Sequence, residues 1–553
     1  MFFEEKHGWM IPPEPVDESR IVSEETADII IVGAGHSGVL AARAAVEAGA
    51  SVILVEKAER ERLIVYGHEI GTFNSRFAKE RGVPEYDPID LILEYQKRSI
   101  NRCNTELIRK YAYHSGETFD WFLEPLDKKY RDSIHIFMNP KPEKFKGDVN
   151  GYKNFIGTMI FDKNNLDQGL AQAIKDTIKI FEDKGGVTRF GFAGEYLEKD
   201  GKRVAALIAK SRDGKYYRFR ANKGVLLAAG DFALDKQMCI DLLDEFMEIS
   251  ENMEKYRVPR MGRDGSGIKM GIWAGGHIQP APRGGMYCTM TGRPGAMGGA
   301  AFLKLNSHGK RFSNEGIMGL WGVGLRAVRQ PEGNIVTVWD SNWREDLEYQ
   351  AMDHLGVDLS DDFSVPAIEE LCRRALESGS RGCSGAVQMA KHRAMEGEDD
   401  GTKVSRSKNG GPFQSRLYAA NTLEELADYL GYEGVHKQNF LDEIARYNEL
   451  CTKGRDEDFA KDPNLMRPVI KPPFFGCAAN KDAGFLMVTL AGLVVDGNQQ
   501  VLDDACEPIQ GLFATGNCAG EIFPLQYSTP IGGSSLGMCH ALGRQVGAYM
   551  AGM

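Results

Sequence analysis

Two short apolar runs, Ile29-Ile30-Ile31-Val32 and Val52-Ile53-Leu54-Val55, bracket an Ala-rich segment, a pattern that predicts strand, helix, strand. Helical periodicity follows from Pro88 to Leu123 and again from Asn164 to Asp183, with a loop-like stretch from Asp132 to Lys163 between them. Val187 to Phe192, Arg203 to Ser211 and Tyr216 to Arg220 alternate as an antiparallel meander, and Gly224 to Gly230 reads as a short buried strand ending in glycine. From about Met286 the pattern changes. Helices are predicted over Ala367 to Ser378 and over Thr422 to Gly431, the second with a Thr422/Glu425 capping box, and the polar Gly-rich stretch Glu396 to Gly411 separates them as a solvated loop. After Pro472 and Pro473 the strand-and-turn pattern returns through Gly492 to Asp496 and Gly511 to Asn517, and a final helix is predicted from Leu536 to Met550.

The first three elements carry chemistry. Gly33-Ala34-Gly35-His36-Ser37-Gly38 joins the first strand to its helix, and Glu56 ends the second strand 23 residues beyond Gly33. In such a unit the first glycine permits the tight turn, the second lets the backbone approach a pyrophosphate, and the third lets the helix pack on the sheet. Phosphate then rests on the amino terminus of the helix. Glu56 is placed to accept from ribose hydroxyls and would repel a 2′-phosphate, so FAD or NAD is implied and NADP disfavoured.

The chain has 553 residues, which is more than one ordinary domain needs. Its net charge of −11 excludes a large nucleic-acid footprint, which needs a basic patch. The ten cysteines show no C-x-x-C spacing, so zinc, iron–sulfur and attached haem centres lose support and reduced thiols are expected. Residues 1–26 are polar, without a twin-arginine pair or an apolar h-region, and no run of eighteen apolar residues occurs, so no membrane insertion and a cytoplasmic location are expected.

Several further segments, in order and at family spacing, resemble the FAD-binding fumarate reductase and succinate dehydrogenase flavoproteins, nearest the 3-ketosteroid dehydrogenase and enoate reductase branches. They are Val225 to Phe232, Gly267 to Gly276, Leu305 to Glu315, Tyr447-Asn448, Gly511 to Gly520 and Gly532 to Gly547. The resemblance implies an α/β fold: a discontinuous Rossmann-like FAD-binding domain over 27–285 and 477–553, with an inserted α+β capping domain over 286–476 and an extension over 1–26. FAD is expected to be held non-covalently by Gly33, Gly35, His36, Ser37, Gly38, Glu56, Lys57, Asn74, Ser75, Gly194, Ala229, Gly230, Asp264, Gly516, Asn517, Ser534, Ser535 and Leu536. Asn517 stands where the family carries Glu. Ser534-Ser535-Leu536 opens the last helix, whose N–H groups and positive dipole end suit the charge that develops on a reduced flavin. His68 invites comparison with the histidine of covalent flavin links, but Glu69 to Ser75 departs from that motif.

The departures bear on the substrate. Where fumarate reductases carry His-Pro-Thr this chain has Tyr287-Cys288-Thr289; the place of the proton-donating Arg is Gly319; Met487 to Gly492 lacks the family His, and Pro530 replaces the Arg before the late Gly-Gly pair. A buried dicarboxylate needs paired charges, since unpaired burial costs at least several kcal/mol per charge. A neutral, largely apolar substrate is therefore expected, with a steroid-like skeleton as one candidate. Tyr527-Ser528-Thr529-Pro530-Ile531-Gly532-Gly533 looks like the Tyr-Pro-Gly-x-Gly-Gly turn of 3-ketosteroid dehydrogenases with one extra residue. That resemblance implies a substrate carbonyl held near Gly532 and Gly533, with Tyr527 positioned there and Tyr287 handling the proton; Arg283 is a second candidate donor. A phenol suits this role because its ordinary pKa near 10 lets it protonate a carbon that turns basic in the transition state.

These features predict an FAD-dependent enzyme transferring hydride between flavin N5 and a carbon of an activated C=C bond. Desaturation of a ketone uses the same residues in reverse. An electron-transfer subunit of a complex is the alternative from another class, and the external electron donor or acceptor is not specified by the sequence.

Overall fold

The computed structural model describes residues 8–138, 144, 147–161, 169–243, 263–288, 300–316, 329–349, 359, 364–383, 416–480 and 485–553, without the side chains of residues 287, 288, 364, 479, 480 and 485. The central sheet has eight strands. Strand β1 (Ile21–Val32) pairs in parallel with Tyr216–Leu227 on one side and with β2 (Val52–Glu56) on the other, and Val187–Phe190 joins β2 in parallel. Helix α1 (His36–Glu47) connects β1 to β2. Ile29, Ile30, Ile31 and Leu54 are buried to within 1%, so the apolar runs are uninterrupted because both faces of the sheet are covered.

The structure changes four sequence expectations. Val187–Phe190 belongs to the parallel sheet; the antiparallel meander is Phe192–Asp200, Arg203–Ser211 and Tyr216–Leu227. The two pieces Tyr216 to Arg220 and Gly224 to Gly230 form one strand through Leu227, because Thr26 and Ala27 of β1 pair across the gap between them. The first six residues of β1 lie inside the presumed extension, and Trp9 is buried with its indole N–H donating to Asp241 at 2.7 Å. The loop-like stretch after Asp132 contains the short strands His135–Phe137 and Thr158–Ile160, which pair with Glu69–Gly71 through the latter.

The last helix, Ser534–Gly552, packs directly across α1. A Cβ on Gly543 would lie 2.6 Å from Ser37 O, and one on Gly547 would lie 2.2 Å from Ala41 O, so only glycine permits this approach. That crossing brings the end of the chain onto its first motif. Around residues 300–480 a second, antiparallel sheet is ordered Leu303–Asn306, Asn334–Trp339, Phe474–Asn480, Leu417–Ala420. The boundary expected after residue 476 therefore falls within a strand. Helices Ser364–Ser378 and Leu423–Tyr429 flank this sheet, the latter capped as expected by Thr422 Oγ1 accepting from Glu425 N at 3.2 Å. The Glu396 to Gly411 stretch lies outside the described residues.

Candidate functional site

The nucleotide turn is built by exclusion. A Cβ on Gly33, which has φ +107°, would meet Ala228 O at 2.5 Å, and a Cβ on Gly38 would meet Gly33 O at 2.0 Å. Gly35 differs from both, because a Cβ there would meet nothing within 4 Å. It is the amino-terminal cap of α1, and no side-chain hydrogen bond caps that helix. This is the cradle a pyrophosphate requires. Both Glu56 oxygens accept backbone N–H groups, of Ala34 and Ala58, each at 2.8 Å, and each keeps a lone pair for a ribose hydroxyl.

The fold gathers the other expected segments at this turn. A Cβ on Gly516, where φ is +60°, would lie 2.5 Å from Ser37 Oγ, and one on Gly267 would lie 3.1 Å from the Ala229 methyl group. Gly230, φ +84°, has open space at its Cβ position. Lys57 and Asp264, both expected at the cofactor, pair with each other at 2.8 Å. Gly71 closes the far end: a Cβ there would meet Gly532 O and Ser534 N at 2.8 Å, and its N–H donates to Gly533 O at 2.8 Å.

Several expected residues do other work. The Asn74 amide spans the Tyr86 backbone, donating to its carbonyl at 2.8 Å and accepting its N–H at 2.9 Å. Ser75 caps the helix Arg76–Lys79. Both side chains are thus engaged by local backbone. Gly194 pairs with Ala209, and Met270 and Leu207 fill the space its Cβ would take, so no ligand reaches it from that side. The Ser534 hydroxyl donates to Ile531 O at 2.6 Å, and Leu536 packs over Gly67. Tyr527 is buried and its hydroxyl accepts the Ser535 N–H at 3.0 Å. The Arg283 Nε donates to Gln279 O at 2.7 Å, which engages it in its own turn. Tyr287 lies in the strand Gly285–Cys288; its side chain lies outside the described residues, as do Thr289 and Gly319.

Three groups at the site were not legible as such. His36 Nδ1 lies 3.1 Å from His540 Nε2, and His36 Nε2 lies 2.8 Å from Tyr66 O; burial pushes the His36 pKa down to about 4 and that of His540 well below its ordinary value. The pair is therefore neutral, with His36 Nε2–H donating to the carbonyl and His540 Nε2–H donating to His36. Asp231, directly after Gly230, binds Arg263 at 3.1 Å with both side chains under 10% exposed. The signal was present as a lone acid just after the glycine that follows a buried strand. Tyr95 and Tyr111 stand beneath the last helix with their rings 6.2 Å apart, and burial raises both phenols, so they stay protonated.

Among the described residues no helix is long and apolar enough to cross a membrane, and no cluster of three or more His, Cys, Asp or Glu side chains could hold a metal ion.

The FAD binding domain family matches residues 28–139 and 192–536. The chain is 22% identical over 541 residues to vinyl phenol reductase of Lactiplantibacillus plantarum, covering 96% of this chain and 97% of that protein. It is 25% identical to 4-oxocyclohexanecarboxylate 2-dehydrogenase of Sinomonas cyclohexanicum, covering 95% and 93% of the two chains. Among solved structures, 3-ketosteroid-Δ4-(5α)-dehydrogenase of Rhodococcus jostii RHA1 superposes with a TM-score of 0.66 at 19% identity, over 97% of this chain and 99% of the other. The open cradle at Gly35, the ribose acid Glu56 and a family match spanning both ends of the split domain lead to one conclusion: this chain belongs to the FAD binding domain family and is an FAD-dependent oxidoreductase.

Proposed function

We propose that the protein reduces an activated carbon–carbon double bond in a neutral, largely apolar substrate, with FAD bound non-covalently. The observation that carries this reading is the substitution of the charged substrate-binding positions within an otherwise intact flavoprotein frame: Tyr287 and Cys288, Met487 and Pro530 stand where carboxylate-binding residues would be needed. The relatives named for carbon–carbon reduction and dehydrogenation support the reaction class. Bound at the Gly33 to Gly38 turn and Glu56, FAD would supply the hydride. The chain's own residues do the rest. Tyr287 donates the proton to the carbon that receives no hydride, while the turn at Gly532 and Gly533, fixed by Thr158 Oγ1 donating to Gly532 O at 3.0 Å, holds the substrate carbonyl. Tyr527 acts as a prop for that turn, since its hydroxyl accepts the Ser535 N–H in the first turn of the last helix.

The competing reading is an electron-transfer subunit. Steady-state assay of the isolated chain with a reduced dye separates the two: stoichiometric saturation of an enone supports the enzyme, and dye oxidation without product formation from any enone or enoate contradicts it.

A further inference from the structure

Strand Gly285–Cys288 is antiparallel to Phe485–Thr489, but the register shifts within it. Met286 pairs with Val488 and Tyr287 with Leu486, so Met487 has no partner and forms a bulge opposite the step from Met286 to Tyr287. Bulges re-aim the chain and are found beside active sites. They also leave a backbone group outside the ladder, and here an Arg263 guanidinium N–H donates to Met487 O.

Arg263 is in turn fixed by Asp231, its Nε donating to the two carboxylate oxygens at 3.1 and 3.2 Å. Asp231 also accepts the Ala233 N–H at 2.8 Å and lies 3.5 Å from the Asn517 amide, the limit of a hydrogen bond. The next residue, Phe232, donates its N–H to Thr489 Oγ1 at 3.3 Å. Two consecutive residues shortly beyond the central strand that ends at Leu227 therefore hold the bulged strand at Met487 and Thr489, while one of them also lies at hydrogen-bond limit from the cofactor-side residue Asn517.

Burying a carboxylate and a guanidinium together gains little stability over apolar side chains, but it fixes one geometry when every hydrogen bond is made. Burial pushes the Asp231 carboxyl up, and the Arg263 charge pulls it back. Pair and bulge are thus mutually dependent. We propose that Asp231 and Arg263 are positioning residues that set the register of Tyr287 by pinning the Met487 bulge in the strand paired with it. This rests on the reading of Tyr287 as proton donor.

The test is a double-mutant cycle on the FAD-loaded full chain. Asp231→Asn with Arg263→Met removes both charges at once and leaves an acceptor for Ala233. FAD content and the melting temperature should stay near those of the parent, the substrate concentration at half-saturation should change little, and the limiting rate of flavin reoxidation by a neutral enone should fall about 10²-fold, as for a misplaced reacting group. Adding Tyr287→Phe should bring the loss only to that of Tyr287→Phe alone, not to the product of the two, since both changes act on the same proton donor. Arg263→Lys keeps the charge without the fork, and its rate should fall between parent and double variant. An unchanged rate in the FAD-replete double variant, or a loss that multiplies with that of Tyr287→Phe, overturns the inference and leaves the proposed function standing. A fully active Tyr287→Phe overturns both. Should the double variant not fold, an unchanged rate in Arg263→Lys overturns the inference.

Discussion

The nucleotide unit and the sheet around residues 300–480 are held together by opposite means. In the first, close approach is everything: Gly33, Gly38, Gly543 and Gly547 each exclude a side chain to within 2.0–2.6 Å of a backbone atom. In the second, charge is buried. Arg311 forms paired bonds to Glu315, at 2.8 Å each, and to Asp456, at 3.1 and 2.7 Å, and Lys461 lies 3.4 Å from Glu315. These side chains are 1% exposed or less. Lys304, also buried, has its pKa pushed down to about 8. Backbone contact tolerates no substitution, whereas an ion network fails when one member is lost. The difference predicts where each region breaks.

The largest effect should come from Gly38→Val, which drives a branched side chain into Gly33 O; the soluble, FAD-loaded protein should be lost. Gly35→Ala sharpens the point, because the space is open in the protein itself: its melting temperature without FAD should be unchanged while FAD affinity falls at least about 10-fold, since the methyl group stands where the pyrophosphate approaches. Equal damage to the fold from both substitutions would remove the distinction between packing and binding glycines.

Next in size is Tyr287→Phe, which should slow the oxidative half-reaction by about 10²- to 10⁴-fold with FAD content intact. Stopped-flow absorbance of the reduced flavin reads it directly, and an unchanged rate removes Tyr287 from the mechanism.

Arg311→Met leaves Glu315 and Asp456 buried without their partner and should cost about 3–5 kcal/mol in denaturant unfolding. Arg311→Met with Glu315→Met and Asp456→Asn should recover part of that loss. A mild single variant would show that the network is hydrated.

The smallest effect is acid sensitivity. The His36 pKa is lower in the folded protein than its ordinary 6.5, so the unfolded chain binds more protons between 6.5 and about 4 and stability falls as pH drops through that window. The slope is at most about 1.4 kcal/mol per pH unit for each neutral histidine. His36→Gln with His540→Leu should flatten the melting profile between pH 6.5 and 5, and an unaltered slope would mean that the pair is not held neutral.

The same contrast explains what was legible in the sequence. Gly33 to Gly38 and Glu56 were readable because local spacing alone places them, and the Thr422 cap likewise depends on three residues. That the Asn74 and Ser75 side chains bond Tyr86 O and Ala78 N could not be read in advance, because these partners are backbone groups that no side-chain pattern marks. Asp231 and Arg263, 32 positions apart, meet only once the strand ending at Leu227 and the helix Ser266–Trp273 are packed. Tyr527 shows a third limit: the residue was found, but its hydroxyl serves the Ser535 N–H, a use set by the turn between them.

We propose an intact flavin frame whose charged substrate pocket has become a neutral one. The most direct measurement is anaerobic stopped-flow reoxidation of the reduced flavin by a neutral cyclic enone and by fumarate, each at millimolar concentration. The account predicts rapid reoxidation by the enone and little by fumarate; fumarate reoxidising the flavin as fast as the best enone would contradict it.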